Sequence, residues 1–261
     1  MATGKETETR SHIIGFKDEI DKAAQQSKDT FFTWFSSAND TDMAFVRGHW
    51  DFIIHIALPL SKYITQPETK VALEIGHGGG RILSAASRGF QKVIGVDIHD
   101  NNRLVEEELR KRGITNIELL KTDGQTIPIE DNSIDVVYSF IVLQHIERIK
   151  IFKGYLAESY RILKPGGLAL LYFGRKYFFS INRKSRILYW IDCLLEELVL
   201  RQGFQEIPAR VNETNLQISV SFAKKTARLS GFQVLGKVVS HKKVPDGINL
   251  YGGQHGLILK K

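Results

Sequence analysis

Apolar positions along the first seventy residues recur at helical spacing. Ser11 to about Phe35 carries one polar face. From Asp42 to about Ile64, Phe45, Trp50, Ile53, Ile54 and Ala57 form an apolar stripe, and Pro59 is expected to kink or interrupt it. The pattern then changes. Short apolar runs at 71–75, 92–96, 117–120, 134–139 and 168–173 predict strands. Polar or amphipathic stretches between them, including 81–88, 101–112 and 152–163, predict helices. Strands alternating with helices at this interval imply a parallel sheet with crossover helices on both faces. Lys164-Pro165-Gly166-Gly167 reads as a turn into the fifth strand. The last third differs. A basic, aromatic stretch from 175 to about 207 has a helix near 187–200, and another helix is expected over 215–230. Strands at 232–239 and 257–260 enclose a glycine-rich link.

Composition narrows the class only a little. The chain has 261 residues, a formal net charge of +7 and one cysteine, Cys193. A single cysteine excludes a disulfide framework and a cysteine metal cluster, so no metal site is expected, and cytoplasmic residence follows. No apolar run reaches the length of a membrane span, and residues 1–11 lack a signal-peptide core. The positive charge is compatible with an acidic small molecule, a nucleic acid or a membrane surface.

The first strand ends in an acid and runs into glycines: Glu74-Ile75-Gly76-His77-Gly78-Gly79-Gly80-Arg81. A strand, a glycine turn and a helix N-terminus make a nucleotide cradle. The dinucleotide fingerprint needs a small residue where Arg81 stands. The alternative pattern, acid-x-Gly-x-Gly-x-Gly, is complete in Glu74, Gly76, Gly78 and Gly80. A carboxylate there suits a ligand carrying an ammonium and a sulfonium, and it would repel a pyrophosphate.

Four further stretches stand in register with this one. Val93-Ile94-Gly95-Val96-Asp97 ends a second strand in an acid able to accept ribose hydroxyls, with Ile98 beside it. Asp123-Gly124 follows the third strand, and by itself reads as an ordinary turn. Ser133-Ile134-Asp135-Val136-Val137-Tyr138-Ser139 forms the fourth strand, placing Ser139 at its carboxyl edge. Leu163-Lys164-Pro165-Gly166-Gly167 precedes the fifth.

Over residues 70–174, with a looser match to the end, this series resembles the class I S-adenosylmethionine (SAM)-dependent methyltransferases. The resemblance implies a Rossmann-like α/β three-layer sandwich with a mostly parallel, seven-stranded sheet whose last strand is antiparallel. It implies an N-terminal helical lid over 1–65, and a SAM-binding domain over 66–261 with a helical insertion at about 175–211. It also implies a cofactor site made by Glu74, Gly76, His77, Gly78, Gly80, Asp97, Ile98, Asp123, Gly124 and Ser139, with Asp123 facing the adenine amino group. His77 would be a backbone placeholder in the loop. Trp34, Phe35, Phe45 and Trp50 would cover the cofactor or simply pack in the core.

The acceptor is less legible. The Asn/Asp-Pro-Pro-aromatic run of amino-group methylation is absent after strand four, where Ser139-Phe140-Ile141-Val142 stands. Carboxylates for a magnesium ion are absent there too. The expected partner is a small-molecule methyl acceptor, at oxygen or nitrogen, with an anionic or saccharide metabolite preferred. RNA methylation and a catalytically idle SAM-binding accessory role stand as alternatives. Two histidines are candidate bases: His145, which could instead cap a helix or pack beside the cofactor, and His255, in a Tyr251–Gly256 loop expected to open at the acceptor pocket. His49 is a third. Arg175, Lys176, Arg183, Lys184, Arg186, Lys242 and Lys243 are expected near the same edge.

Overall fold

A computed structural model describes residues 15–176, 185–199, 203–207, 211–242 and 251–261. Nine strands form one sheet: β1 Val71–Ile75, β2 Lys92–Asp97, β3 Ile117–Lys121, β4 Ile134–Ser139, β5 Leu163–Arg175, β6 Phe204–Glu206, β7 Leu216–Ile218, β8 Gln233–His241 and β9 Tyr251–Lys260. The helices are α1 Phe16–Gln26, α2 Lys28–Trp34, α3 Thr41–Phe52, α4 Leu58–Leu60, α5 Arg81–Ala86, α6 Asn102–Lys111, α7 Ile149–Ile162, α8 Arg186–Val199 and α9 Val220–Leu229.

Strands β1 to β5 pair in parallel in the order β3-β2-β1-β4-β5. The last strand, β9, runs antiparallel against β5, and β8 closes the sheet against β9. These seven strands are the expected set. The other two come from the insertion. β7 pairs in parallel with β5 at Gly174 and Arg175, and β6 pairs with β7. Gly174 already faces Gln254 of β9, so β7 must take the edge that β4 leaves after Ser139. Among the described residues the sheet therefore has nine strands rather than seven.

One face of the sheet buries Phe152, Leu156, Ala223 and Ala227 of α7 and α9 against Leu73, Val137, Leu171 and Leu257. The other buries Phe31, Phe32, Phe45, Ile56 and Leu60 with Leu83, Val93, Tyr138 and Ile258. The helices between Phe16 and Leu60 thus pack directly on the sheet. Each fully buried Phe contributes roughly 1.5–3 kcal/mol of transfer free energy to that docking. At Gly48 the backbone of α3 touches that of α5, and a Cβ there would collide with the Arg81 carbonyl. Asp51, one turn further along α3, forms an ion pair with Arg81.

The α-helix is interrupted before Pro59. The chain widens into a π turn over Ile53–Ala57 before α4. Proline has no N–H for the His55 carbonyl four residues earlier. The Tyr172 hydroxyl donates to that carbonyl at 2.8 Å. Other boundaries shift for local reasons. Residues 164–167 are a bulge within β5, because the pairing steps from Ile134–Leu163 to Val136–Leu168. The helix expected from 215 begins later, since residues 216–218 pair as β7 and Ser219 caps α9 by accepting from the Phe222 amide.

Candidate functional site

The carboxyl ends of β1, β2 and β4 open into one cavity of about 1000 Å³, counting its mouth. Glu74, Gly76, His77, Gly78, Asp97, Ile98 and Thr122 line it from the sheet. Phe140, Ile141, Val142 and His145 line it from the segment after β4, and Phe16, Ile20, Trp34 and Phe35 from α1 and the α2 end.

The glycine loop is held from one side by a polar clamp. The Gly78 amide donates to Asp97 Oδ2 at 2.8 Å. Its carbonyl accepts from His77 Nδ1 at 2.9 Å and from His99 Nε2 at 3.0 Å. Asp97 Oδ1 accepts from the Ile98 amide at 2.7 Å. The Asp97 carboxyl stays below its ordinary pKa although burial opposes ionisation, because His99, His77 and two backbone N–H groups favour the charge. Burial pushes His77 down to about 4, so its ring is neutral at pH 7. His99, fully buried, had no motif to announce it. Only its position two residues beyond Asp97 could have pointed to it. His77 is therefore a structural member of the loop rather than a placeholder. Among the described residues His77, Asp97 and His99 are the one group able to hold a metal, their donor atoms lying within 4.8 Å of one another. All three are engaged with Gly78, and their evident work is to fix that peptide.

On the opposite side the loop meets an aromatic wall. Gly78 has φ of +52°, and a Cβ there would lie 2.7 Å from Phe35 Cδ1. Any side chain at this position would displace the ring and strain the backbone. Trp34 and Phe35 thus line the cavity, while Trp50 is 42% exposed and Phe45 lies in the core.

Glu74 is buried, and Tyr138 donates to its Oε2 at 3.2 Å. Burial is the dominant influence and pushes its pKa up to about 8, against the opposing pull of Tyr138 and Arg81. A buried, largely neutral carboxyl at a cavity wall is a receptor for a cation, which would restore its charge.

His145 also lines the cavity. Its Nδ1 donates to the Glu213 carbonyl at 2.6 Å, and its Nε2 accepts from the Gln144 amide at 3.0 Å. Burial lowers its pKa, so the ring is neutral with a lone pair on Nε2.

Several expected residues stand elsewhere. Gly80 caps α5 behind the cavity wall with φ of +75°, and Ser139 is buried with its hydroxyl on the Ile75 carbonyl. Thr122 reaches the cavity, but Asp123 and Gly124 are not among its lining residues. Asp123 Oδ1 accepts from the Gln125 and Thr126 amides, an Asx turn. His255 is not in a loop. It is fully buried within β9 opposite Phe173, with Nε2 bonded to the Tyr189 hydroxyl at 2.9 Å, and it does not line the cavity. The expected loop is strand because residues 251–256 complete the β8–β9 pairing. His49 bonds its own helix at the Phe45 carbonyl. Arg175 and Lys176 are buried behind α8, away from the cavity, and Arg183, Lys184 and Lys243 lie outside the described residues. Arg186 and Lys242 are not lining residues either.

Comparison with known proteins agrees with this architecture. Residues 73–171 match the family model described as a methyltransferase domain. A SAM-dependent methyltransferase from Methanosarcina mazei superposes with a TM-score of 0.55 at 21% identity, over 78% of this chain and 96% of that one. One from Aquifex aeolicus gives 0.53 at 17%, over 80% and 92%. Residues 73–171 are thus similar to methyltransferase domains, and the chain shares the fold of these two structures. In sequence it is 31% identical to the ubiquinone/menaquinone biosynthesis C-methyltransferase UbiE of Brucella abortus, over 60% of this chain and 59% of that one. It is 36% identical to the demethylmenaquinone methyltransferase of Staphylococcus carnosus, over 34% and 35%. The chain thus spans between about a third and three-fifths of these two relatives' lengths.

The cavity's chemistry suits S-adenosylmethionine, on which the two structures above depend. Asp97 would offer a buried anion to a ribose diol, Glu74 a carboxyl to an ammonium, and the Gly76–Gly78 turn bare backbone for close approach. No helix of the described residues is long and apolar enough to cross a membrane.

Proposed function

We propose that this chain transfers a methyl group from SAM to an apolar small molecule carrying an acidic hydroxyl, held between the segment after β4 and α1–α2. The lining carries this reading. Seven of the residues named around the cavity are aromatic or aliphatic at its α1–α2 and post-β4 walls: Phe16, Ile20, Trp34, Phe35, Phe140, Ile141 and Val142. Arg81 is the one arginine or lysine among the described lining residues, and Asp51 neutralises it. An anionic or saccharide acceptor finds little support in such walls. The relatives named for quinone precursors point the same way.

SAM supplies an activated methyl whose carbon–sulfur bond breaks with the electron pair leaving on a neutral sulfur. The residues proposed to act are few. Asp97 and the clamped Gly78 orient the cofactor, and Glu74 faces its ammonium. Phe35 and Trp34 exclude water. His145 Nε2 takes the acceptor's hydroxyl proton, once Gln144 yields that lone pair. The acceptor's charge then rests on oxygen and on ring carbons conjugated to it, either of which can form the new bond. Alignment and desolvation contribute most of the remaining acceleration.

Labelled methyl groups test the reading. SAM carrying a tritiated methyl would be offered with a reduced quinone, simple phenols, sugars and bulk RNA. Label extracted into organic solvent with the quinol or phenol supports the proposal. Label retained on RNA or sugar replaces it.

A further inference from the structure

Helix α8 is turned inside out. Its acids Asp192 and Glu196 are 3% and 1% exposed, while Ile187, Trp190, Leu194 and Leu198 are 72%, 70%, 53% and 63% exposed. Ile191, at 41%, belongs to the same outward side. The spacing 187, 191, 194, 198 places these residues along one face of a helix. The inward face is anchored by polar contacts. Tyr189 stacks on Tyr251 at 4.1 Å and bonds His255, Asp192 stands 4.0 Å from Arg175, and Glu196 accepts from the Val220 amide at 3.2 Å. Rotating the helix to bury its apolar side would break all of these. The outward apolar face is therefore a fixed feature of the fold, and a contiguous patch of this kind marks an interaction surface.

We propose that the outer face of α8 docks on a membrane surface containing anionic lipid. Three observations select this occupant. Size is the first. A helix of 14 residues is about 21 Å long, so two copies packed face to face would bury roughly 600–800 Å², short of the about 1,200 Å² of stable interfaces. Charge is the second. The described acids of α8 point inward, Arg186 at its start is exposed, and the chain carries a net +7. The remaining acid, Glu197, lies outside the described side chains. An apolar face with a cation at its start suits an anionic headgroup layer. Composition is the third. Trp190 with isoleucines and leucines is the mixture that settles at the boundary between headgroups and acyl chains. The helix would lie in that boundary without crossing it. The inference rests on α8 alone and stands whatever acceptor the cavity takes.

Vesicle binding by the full chain decides it. The probes are vesicles of phosphatidylcholine alone and of phosphatidylcholine with phosphatidylglycerol. The expected result is co-sedimentation with the mixed vesicles, at least tenfold tighter than with phosphatidylcholine. A blue shift of tryptophan emission should accompany it and vanish in Trp190→Phe. Ile191→Glu/Leu194→Glu should lose binding by at least tenfold, while its affinity for S-adenosylhomocysteine and its melting temperature stay at wild-type values. Failure to bind the mixed vesicles, or equal binding by the double variant, overturns the proposal. So does a dimer in light scattering that the double variant dissolves, which would assign the face to a second copy. Loss of cofactor binding in the wild type would instead count against the methyltransferase reading and leave this one intact.

Discussion

The Asp97 carboxylate holds the Gly78 amide at 2.8 Å, joining the end of β2 to the glycine loop after β1. One residue thus shapes the loop and presents charge to the cavity. Asp97→Ala should weaken binding of S-adenosylhomocysteine by tenfold to several hundredfold, since hydrogen bonds to a charged group contribute roughly 1.5–3 kcal/mol each. Asp97→Asn, which can still accept from Gly78, should lose less. Calorimetric titration checks both, and equal losses in the two variants would mean that the retained Gly78 contact adds nothing beyond the charge.

How far this was readable beforehand depends on distance along the chain. Glu74, the glycines and Asp97 are local strand-end signals, and period-two and crossover patterns place such ends together. His99 and Phe35 were not assigned to the cofactor loop, because their contacts with it cross 21 and 43 residues and no short motif encodes them. His255 was misplaced for a related reason. Glycines 252, 253 and 256 suggested a loop, yet in β9 Gly252 and Gly256 make room for Ser240, Tyr172 and Val238. The outward face of α8 is visible as spacing in the sequence, but spacing alone cannot tell an outward stripe from a buried one.

Gly48 offers a test of the docking between the N-terminal helices and the sheet. An alanine methyl would meet the Arg81 carbonyl, a backbone atom that cannot rotate away. The helices must separate, disturbing the Asp51–Arg81 pair as well. Gly48→Ala should cost about 1–3 kcal/mol despite alanine's better helix propensity. For a chain of this size that is a melting temperature lower by about 2–10 °C. Thermal unfolding followed by circular dichroism reads it. An unchanged or raised midpoint would show that α3 and α5 are not in backbone contact.

His145 is proposed as the base, and its role can be separated from packing. His145→Ala should lower turnover by about 10²–10⁴-fold while S-adenosylhomocysteine binds nearly as before. Burial lowers the pKa of His145, so the acidic limb of turnover at saturating cofactor should fall below the ordinary imidazole value of about 6.5. A variant that loses cofactor affinity and turnover in equal measure would make the ring a packing element against Phe16, which lies 5.6 Å away.

Glu74 links cofactor binding to pH. Its pKa rises from 4.5 to about 8 in the folded, unliganded chain because burial penalises the anion. Between those values the folded state keeps a proton that the unfolded state releases. Stability is therefore full below pH 4.5, falls as pH rises through the window, and levels off above about 8. An ammonium beside Glu74 favours the anion and reverses this penalty. Binding at pH 7 should release protons, and affinity should rise with pH until about 8. Titration calorimetry in two buffers of different ionisation enthalpy counts the released proton. Glu74→Gln keeps an oxygen for Tyr138 but cannot ionise. It should raise the melting temperature of the unliganded chain at pH 8 by a few degrees and abolish the proton release. It should also weaken cofactor binding by about tenfold or more, through the lost charge-assisted bond. Wild-type binding without proton release, at an affinity flat from pH 6 to 8, would remove Glu74 from contact with the cofactor's ammonium.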